Sequence, residues 1–173
     1  MLREFVITAG LAFALTTAFA KDEAKINDAQ IAHIAYTAGV IDIAAGKQAM
    51  MKSQDPNIRA FAEEMVRDHT AVNDQALALV KKLGVTPQDN PTSMSLSAAA
   101  SMKLKDYEKL SGKAYDMAYI QNEVAYHRTV NGAVEMTLIP NAQNAELKQL
   151  LETGLKLFTE HQHHAEHLAE SLH

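Results

Sequence analysis

The chain has 173 residues, 47% of them hydrophobic, a formal net charge of -5 and neither cysteine nor tryptophan. Without cysteine there are no disulfides, thiolate nucleophiles or cysteine-held metals, and a mildly acidic surface with interspersed lysines offers no footprint for nucleic acid or anionic lipid. Ala, Leu, Met, Lys, Gln and Glu dominate and strand-forming alternation is nearly missing, so the composition is helical.

Met1 to Glu4 lead into an apolar run from Phe5 to Ala20 that closes with Ala18-Phe19-Ala20 before Lys21. This pattern reads as a secretory signal peptide over residues 1–20, cleaved after Ala20. The run is shorter than the roughly 20 apolar residues that span a bilayer comfortably, and no second run follows. The expectation is a periplasmic protein with no integral membrane insertion after cleavage, whose residues 21–173 form a single helical-bundle domain around one core.

The first helix is expected from Asn27 to Lys52. Ser53 to Asp55 make a tight corner, with Asp55 as N-cap and Pro56 at the first helical position, where a missing N–H costs nothing. The second helix runs to Leu83 and ends at Gly84, the residue best suited to a left-handed cap. Val85 to Ser95, with Pro87, Asn90 and Pro91, reads as an irregular crossover, followed by a shorter amphipathic helix over Leu96 to Leu110. A third long helix covers Lys113 to Leu138, is stopped by Pro140, and hands over through Asn141 to a fourth that reaches Ser171. Short corners make helices one and two, and three and four, antiparallel neighbours. The result is an all-α four-helix bundle with a short additional helix in the central crossover.

Helical phase selects the inward polar residues. In helix one the stripe Ile31, Ile34, Ala38, Ile41 and Ala45 leaves Asp42 about 60° from its centre and His33 about 120° away, so Asp42 is inward and His33 solvated. In helix two His69 and Asp68 flank the apolar stripe on opposite sides; residue type favours Asp68 as the solvated one, with orientation of a histidine as its sharper role. Helix three lines up Asp116, Ile120, Glu123, His127, Asn131 and Val134 on one face. Helix four carries His161 inside its stripe and His164 at the margin, while His163 and His167 point outward.

Asp42, His69, His127 and His161 are therefore the candidate metal ligands, with Asp68, Asp116 and Glu123 placed to supply charge or orientation. Imidazole with oxygen donors suits a divalent transition metal such as zinc, iron, copper or manganese without choosing among them. Counted from the two corners, Asp42, His69 and His127 lie roughly 17 to 21 Å along the axis, whereas His161 falls nearer the height of Glu123, which argues against a single compact site containing Asp42, His69, Glu123, His127 and His161 together. Catalytic signatures are missing. The Glu-x-x-His pairs of diiron bundles fail, because Val66, Val124 and Phe158 stand three residues before His69, His127 and His161. The serines lie in no nucleophile elbow, and no phosphate loop, zinc-protease signature or calcium loop appears. Tyr115, Tyr119 and Tyr126 flank the stripe of helix three and read as packing or an interface.

Two segments resemble a known family. Ile58-Arg59-Ala60-Phe61-Ala62-Glu63-Glu64-Met65-Val66-Arg67-Asp68-His69-Thr70, followed by Asn73, is similar to the signature of the DUF4142 family of exported proteins. Leu110-Ser111-Gly112-Lys113-Ala114-Tyr115-Asp116, then Tyr119, Val124 and His127, is the second match. Gly39, Asp42 and Gly46, with Glu160, His161 and Ala165, extend it over nearly the whole mature chain. The resemblance implies a ferritin-like four-helix fold and export, and no particular reaction. Two positions depart from the family pattern: Asp42 stands where Glu is usual, and Lys156 where a proline is.

Two functional readings lead, with an enzyme as a third that requires an open cleft beside the histidines and a substrate or cofactor the sequence does not identify. One is a non-enzymatic module binding a divalent transition metal or small polar ligand in the bundle centre. The other is a structural or interaction protein of the envelope, with a buried histidine–carboxylate network and an envelope protein or a second copy of itself as partner.

Overall fold

The computed structural model describes residues 25–172, and every regular element among them is helical. The signal peptide expected over residues 1–20 lies outside the described residues. Helix α1 (Asp28–Lys52) begins with a capping box in which Asn27 and Gln30 satisfy each other's backbone N–H groups. Helix α2 (Pro56–Leu83) is capped by Asp55, whose side chain accepts from the N–H groups of Asn57 and Ile58, and ends at Gly84 with φ 63°. Both corners form as the residue types dictate.

The crossover departs from the expectation. Helix α3 (Pro91–Glu108) starts five residues before Leu96, because Asn90 and Ser93 build a second capping box and Pro91 takes the first helical position. His33 is also not solvated: its Nδ1 lies 3.0 Å from Ser93 Oγ and its Nε2 3.1 Å from Asp89. A helical phase computed for one helix has no knowledge of a crossover that lies over its outer side.

Helix α4 (Gly112–Ala133) does not stop before Pro140. Pro140 has no N–H to give the carbonyl four residues back, and its ring would strike that carbonyl in a regular α-helix. The backbone widens instead into a π-helical turn, Val134–Leu138, with Ile139 N–H reaching Val134 O, and continues helically through Ile139–Asn141. Helix α5 (Ala145–Ser171) follows, capped by Asn144. Asp28 secures the corner from the far end of the sequence, accepting 2.8 Å hydrogen bonds from Gln143 and Asn144 N–H.

The long helices pair α1 with α2 and α4 with α5, and the pairs meet along α2–α5 and α1–α4. Gly46 permits a close approach to the α2 backbone. A Cβ there would lie 2.9 Å from Ala62 O and 2.9 Å from Val66 Cγ2, so α1 rests almost directly on the α2 backbone. Buried apolar residues form two separate clusters. One holds Ala45, Ala49, Phe61, Met65, Tyr119 and Ala165, and the other Ile31, Ile34, Leu79, Val134, Leu147 and Leu151. Apart from Asp116, which sits among the α4 residues of the first cluster, the inward polar residues of the long helices fall between these clusters, which makes the centre of the molecule a polar layer capped by apolar packing at both ends. Among the described residues no helix is long and apolar enough to cross a membrane.

Candidate metal centre

One residue from each of three helices meets in that polar layer. His69 (α2), His127 (α4) and His161 (α5) are 3%, 2% and 1% exposed, and each offers a ring nitrogen within 4.8 Å of the other two. The height mismatch expected for His161 is thus corrected. Side chains lean toward the N-terminus of their own helix, so on antiparallel α4 and α5 His127 leans away from the Asn141 corner and His161 toward it. Counting residues from a corner locates the Cα atoms and misses this convergence.

The hydrogen bonds assign the tautomers. His127 Nδ1 donates to the Glu123 backbone carbonyl at 3.1 Å, which leaves the Nε2 lone pair free. His161 Nε2 donates to Asp68 Oδ2 at 3.0 Å, which leaves Nδ1 free. His69 Nε2 lies 3.3 Å from Asp42 Oδ2, off the line of a proper hydrogen bond, and its Nδ1 faces no partner. His69 Nδ1, His127 Nε2 and His161 Nδ1 are all sealed from solvent without a hydrogen bond among the described residues. The sequence reading that left Asp68 solvated is corrected here. Asp68 is 15% exposed and held from outside by Arg67, which donates at 2.7 and 3.0 Å, so it is the carboxylate that orients His161.

A tetrahedral ion with metal–nitrogen bonds of about 2.0–2.1 Å would place its imidazole ring centres about 5.3 Å apart. The three ring centroids stand 5.7, 5.4 and 5.7 Å apart, a nearly equilateral triangle a few tenths of an ångström open. Phe158 stacks on His69 at 4.5 Å and 9°, fixing that ring's plane. Phe158 was legible only as part of an apolar stripe.

Asp42 does not join the three histidines as one set of four. It forms a second group with Glu123 and His127, whose donor atoms lie within 4.8 Å of each other. Burial and then the facing Glu123 push the Asp42 carboxyl well above the ordinary carboxylate range, and burial raises Glu123 as well. Among the described residues no N–H or hydroxyl donates to either Glu123 oxygen, and the carboxyl of Asp42 is a polar neighbour. Burial lowers the imidazoles: His127 falls to about 4, with His161 as the second cause, and His69 and His161 also fall. At neutral pH the histidines are neutral, which is the form that ligates metal.

Asp116 is buried with an unpartnered Oδ1, but it belongs to neither group. Tyr115 and Tyr119 stack in the core, and Tyr126 donates to Ala38 O at 3.1 Å. At the surface end of the site His164 Nδ1 lies 2.8 Å from Glu64, and Glu64, Asp68 and His161 form a third, partly buried group. Glu64 had no signal in the apolar periodicity, because it becomes a neighbour of α5 only through the α2–α5 packing.

A family model described as Domain of unknown function (DUF4142) matches residues 14–168. The chain belongs to this family. No curated protein and no solved structure matches it. The match spans α1 to α5, so Asp42, Glu123 and the three histidines all lie within the DUF4142 region.

Proposed function

We propose that this DUF4142 protein binds one divalent transition metal ion, from the set zinc, iron, copper and manganese, between His69, His127 and His161. The proposal includes a ferritin-like four-helix arrangement and a periplasmic location reached through the signal peptide. The observation that carries it is that three buried imidazoles each bring a ring nitrogen within 4.8 Å of the other two, while every ring keeps a buried nitrogen with no hydrogen-bond partner among the described residues and two of the rings give their other nitrogen to a carboxylate or a carbonyl. That is the outer support that metal-bound histidines ordinarily have. Three neutral nitrogens supply a tetrahedral ion with all but one position. Asp42 and Glu123, adjoining through His127, supply compensating negative charge when the ion lowers the cost of ionising them.

The rival reading is a structural or interaction protein of the envelope. The His161–Asp68 and His127–Glu123 bonds fit it. A network serving stability alone, however, does not explain buried nitrogens left unpartnered, each at a cost of about 1–3 kcal/mol. Calorimetric titration of chelator-stripped protein with zinc separates the two. One ion per chain in the wild type and none in His127→Ala supports metal binding; no uptake by folded wild-type protein refutes it.

A further inference from the structure

A cavity of about 230 Å³ abuts the centre on the side of His69, His127 and Asp42. His161 and Glu123 do not line it, so the cavity meets one side of the histidine triangle only. The rest of its wall is largely apolar, with Ile34, Val72, Val130, Leu151 and Phe158 among the lining residues. Exposed Thr92 and Thr129 stand at its edge. Asn131, 7% exposed, also borders it.

An engineered apolar cavity of about 150 Å³ accepts benzene, so this one holds a somewhat larger molecule, of roughly eight to eleven non-hydrogen atoms. Apolar walls give such a molecule no orientation. A donor atom at the inner end does, because three histidines leave a tetrahedral ion one open position. We infer that the cavity is a binding site for a small, mainly apolar molecule, aromatic or short-chain, that carries a single nitrogen or oxygen donor and completes the coordination of the ion. This inference rests on the metal reading above. It adds the ligand class and the direction from which the ligand arrives.

The test uses the full mature chain loaded with cobalt(II), whose visible absorption reports the coordination sphere, and two probes, imidazole and 4-phenylimidazole. Both carry the same donor, and only the second has an apolar body of the size the cavity takes. The expected result is a saturable spectral change with 4-phenylimidazole at a concentration at least tenfold lower than with imidazole. Ala76→Phe and, independently, Val130→Phe fill the cavity while keeping all three histidines; either should abolish the tenfold preference with cobalt still bound. Equal affinities for the two azoles, or a preference that survives in cobalt-loaded forms of both variants, overturns the cavity proposal and leaves the metal reading intact. Failure of the wild type to take up cobalt or any of zinc, iron, copper and manganese overturns the metal reading and this proposal with it.

Discussion

Replacing His69 with leucine separates a metal ligand from a structural polar residue, because the two roles predict opposite signs in metal-free protein. His69 Nδ1 is buried without a partner, and Nε2 has only the off-line approach to Asp42 at 3.3 Å. Counting Nδ1 alone, its removal relieves about 1–3 kcal/mol of uncompensated desolvation. Against this stands the stacking on Phe158 at 4.5 Å, a loss of about 0.5–1.5 kcal/mol. The variant without metal is therefore more stable than the wild type by about 1 kcal/mol, or roughly 2–4 °C in Tm for a chain of this size. At zinc concentrations 100-fold above Kd the wild type gains about 2.7 kcal/mol and the variant gains none, so the order of stabilities reverses. Urea denaturation of both proteins, each with chelator and with zinc, reads both signs. A His69→Leu protein that is less stable than the wild type with chelator, and a wild type indifferent to zinc, would refute the reasoning.

Three further expectations follow from the same geometry. His127 has a folded pKa of about 4 against an ordinary 6.5, so the unfolded chain binds the extra proton first; stability from this residue is complete above pH 6.5 and falls by about 3 kcal/mol as pH drops toward 4. The raised carboxyls of Asp42 and Glu123 act in the opposite sense over that acid range, so the effect is read as the difference between metal-free wild type and His127→Gln in urea titrations at several pH values; a difference that does not change with pH contradicts the burial argument. Asp68→Ala removes the group that orients His161 and should weaken zinc binding by about 10- to 100-fold with the fold retained, measured by competition with a chelating dye; unchanged affinity removes Asp68 from the site. Gly46→Ala forces a methyl group against Ala62 O and should destabilise by about 1–3 kcal/mol in thermal unfolding, whereas a neutral effect would mean that α1 and α2 separate freely.

Much of this was legible in the sequence because helices carry their own coordinates. The start of the first helix near Asn27, the cap at Asp55, the stop at Gly84 and the inward phase of Asp42, His69, His127 and His161 depend on local chemistry and a 3.6-residue period, and the structure has them. What was not legible depends on a second element. Asp68 and His69 sit symmetrically about the α2 stripe, and only the position of α5 decides that Asp68 meets His161. His33 faces away from its own stripe and is covered by the start of α3. The division of the ligands into a three-histidine group and an Asp42–Glu123–His127 group turns on side-chain lean and reach, which corner-to-residue counting omits. Pro140 marks a real perturbation of α4, but the residue alone does not say whether the backbone breaks or widens into a π-helical turn, the form found here with Val134 and Leu138 buried in the core.

Anomalous diffraction from crystals of the zinc-loaded protein, collected on both sides of the zinc absorption edge, addresses the central claim directly. One peak per chain, about 2.0–2.1 Å from His69 Nδ1, His127 Nε2 and His161 Nδ1, is the predicted result. Crystals with no peak among these three rings, or with zinc only at surface residues such as His163 and His167, would contradict it.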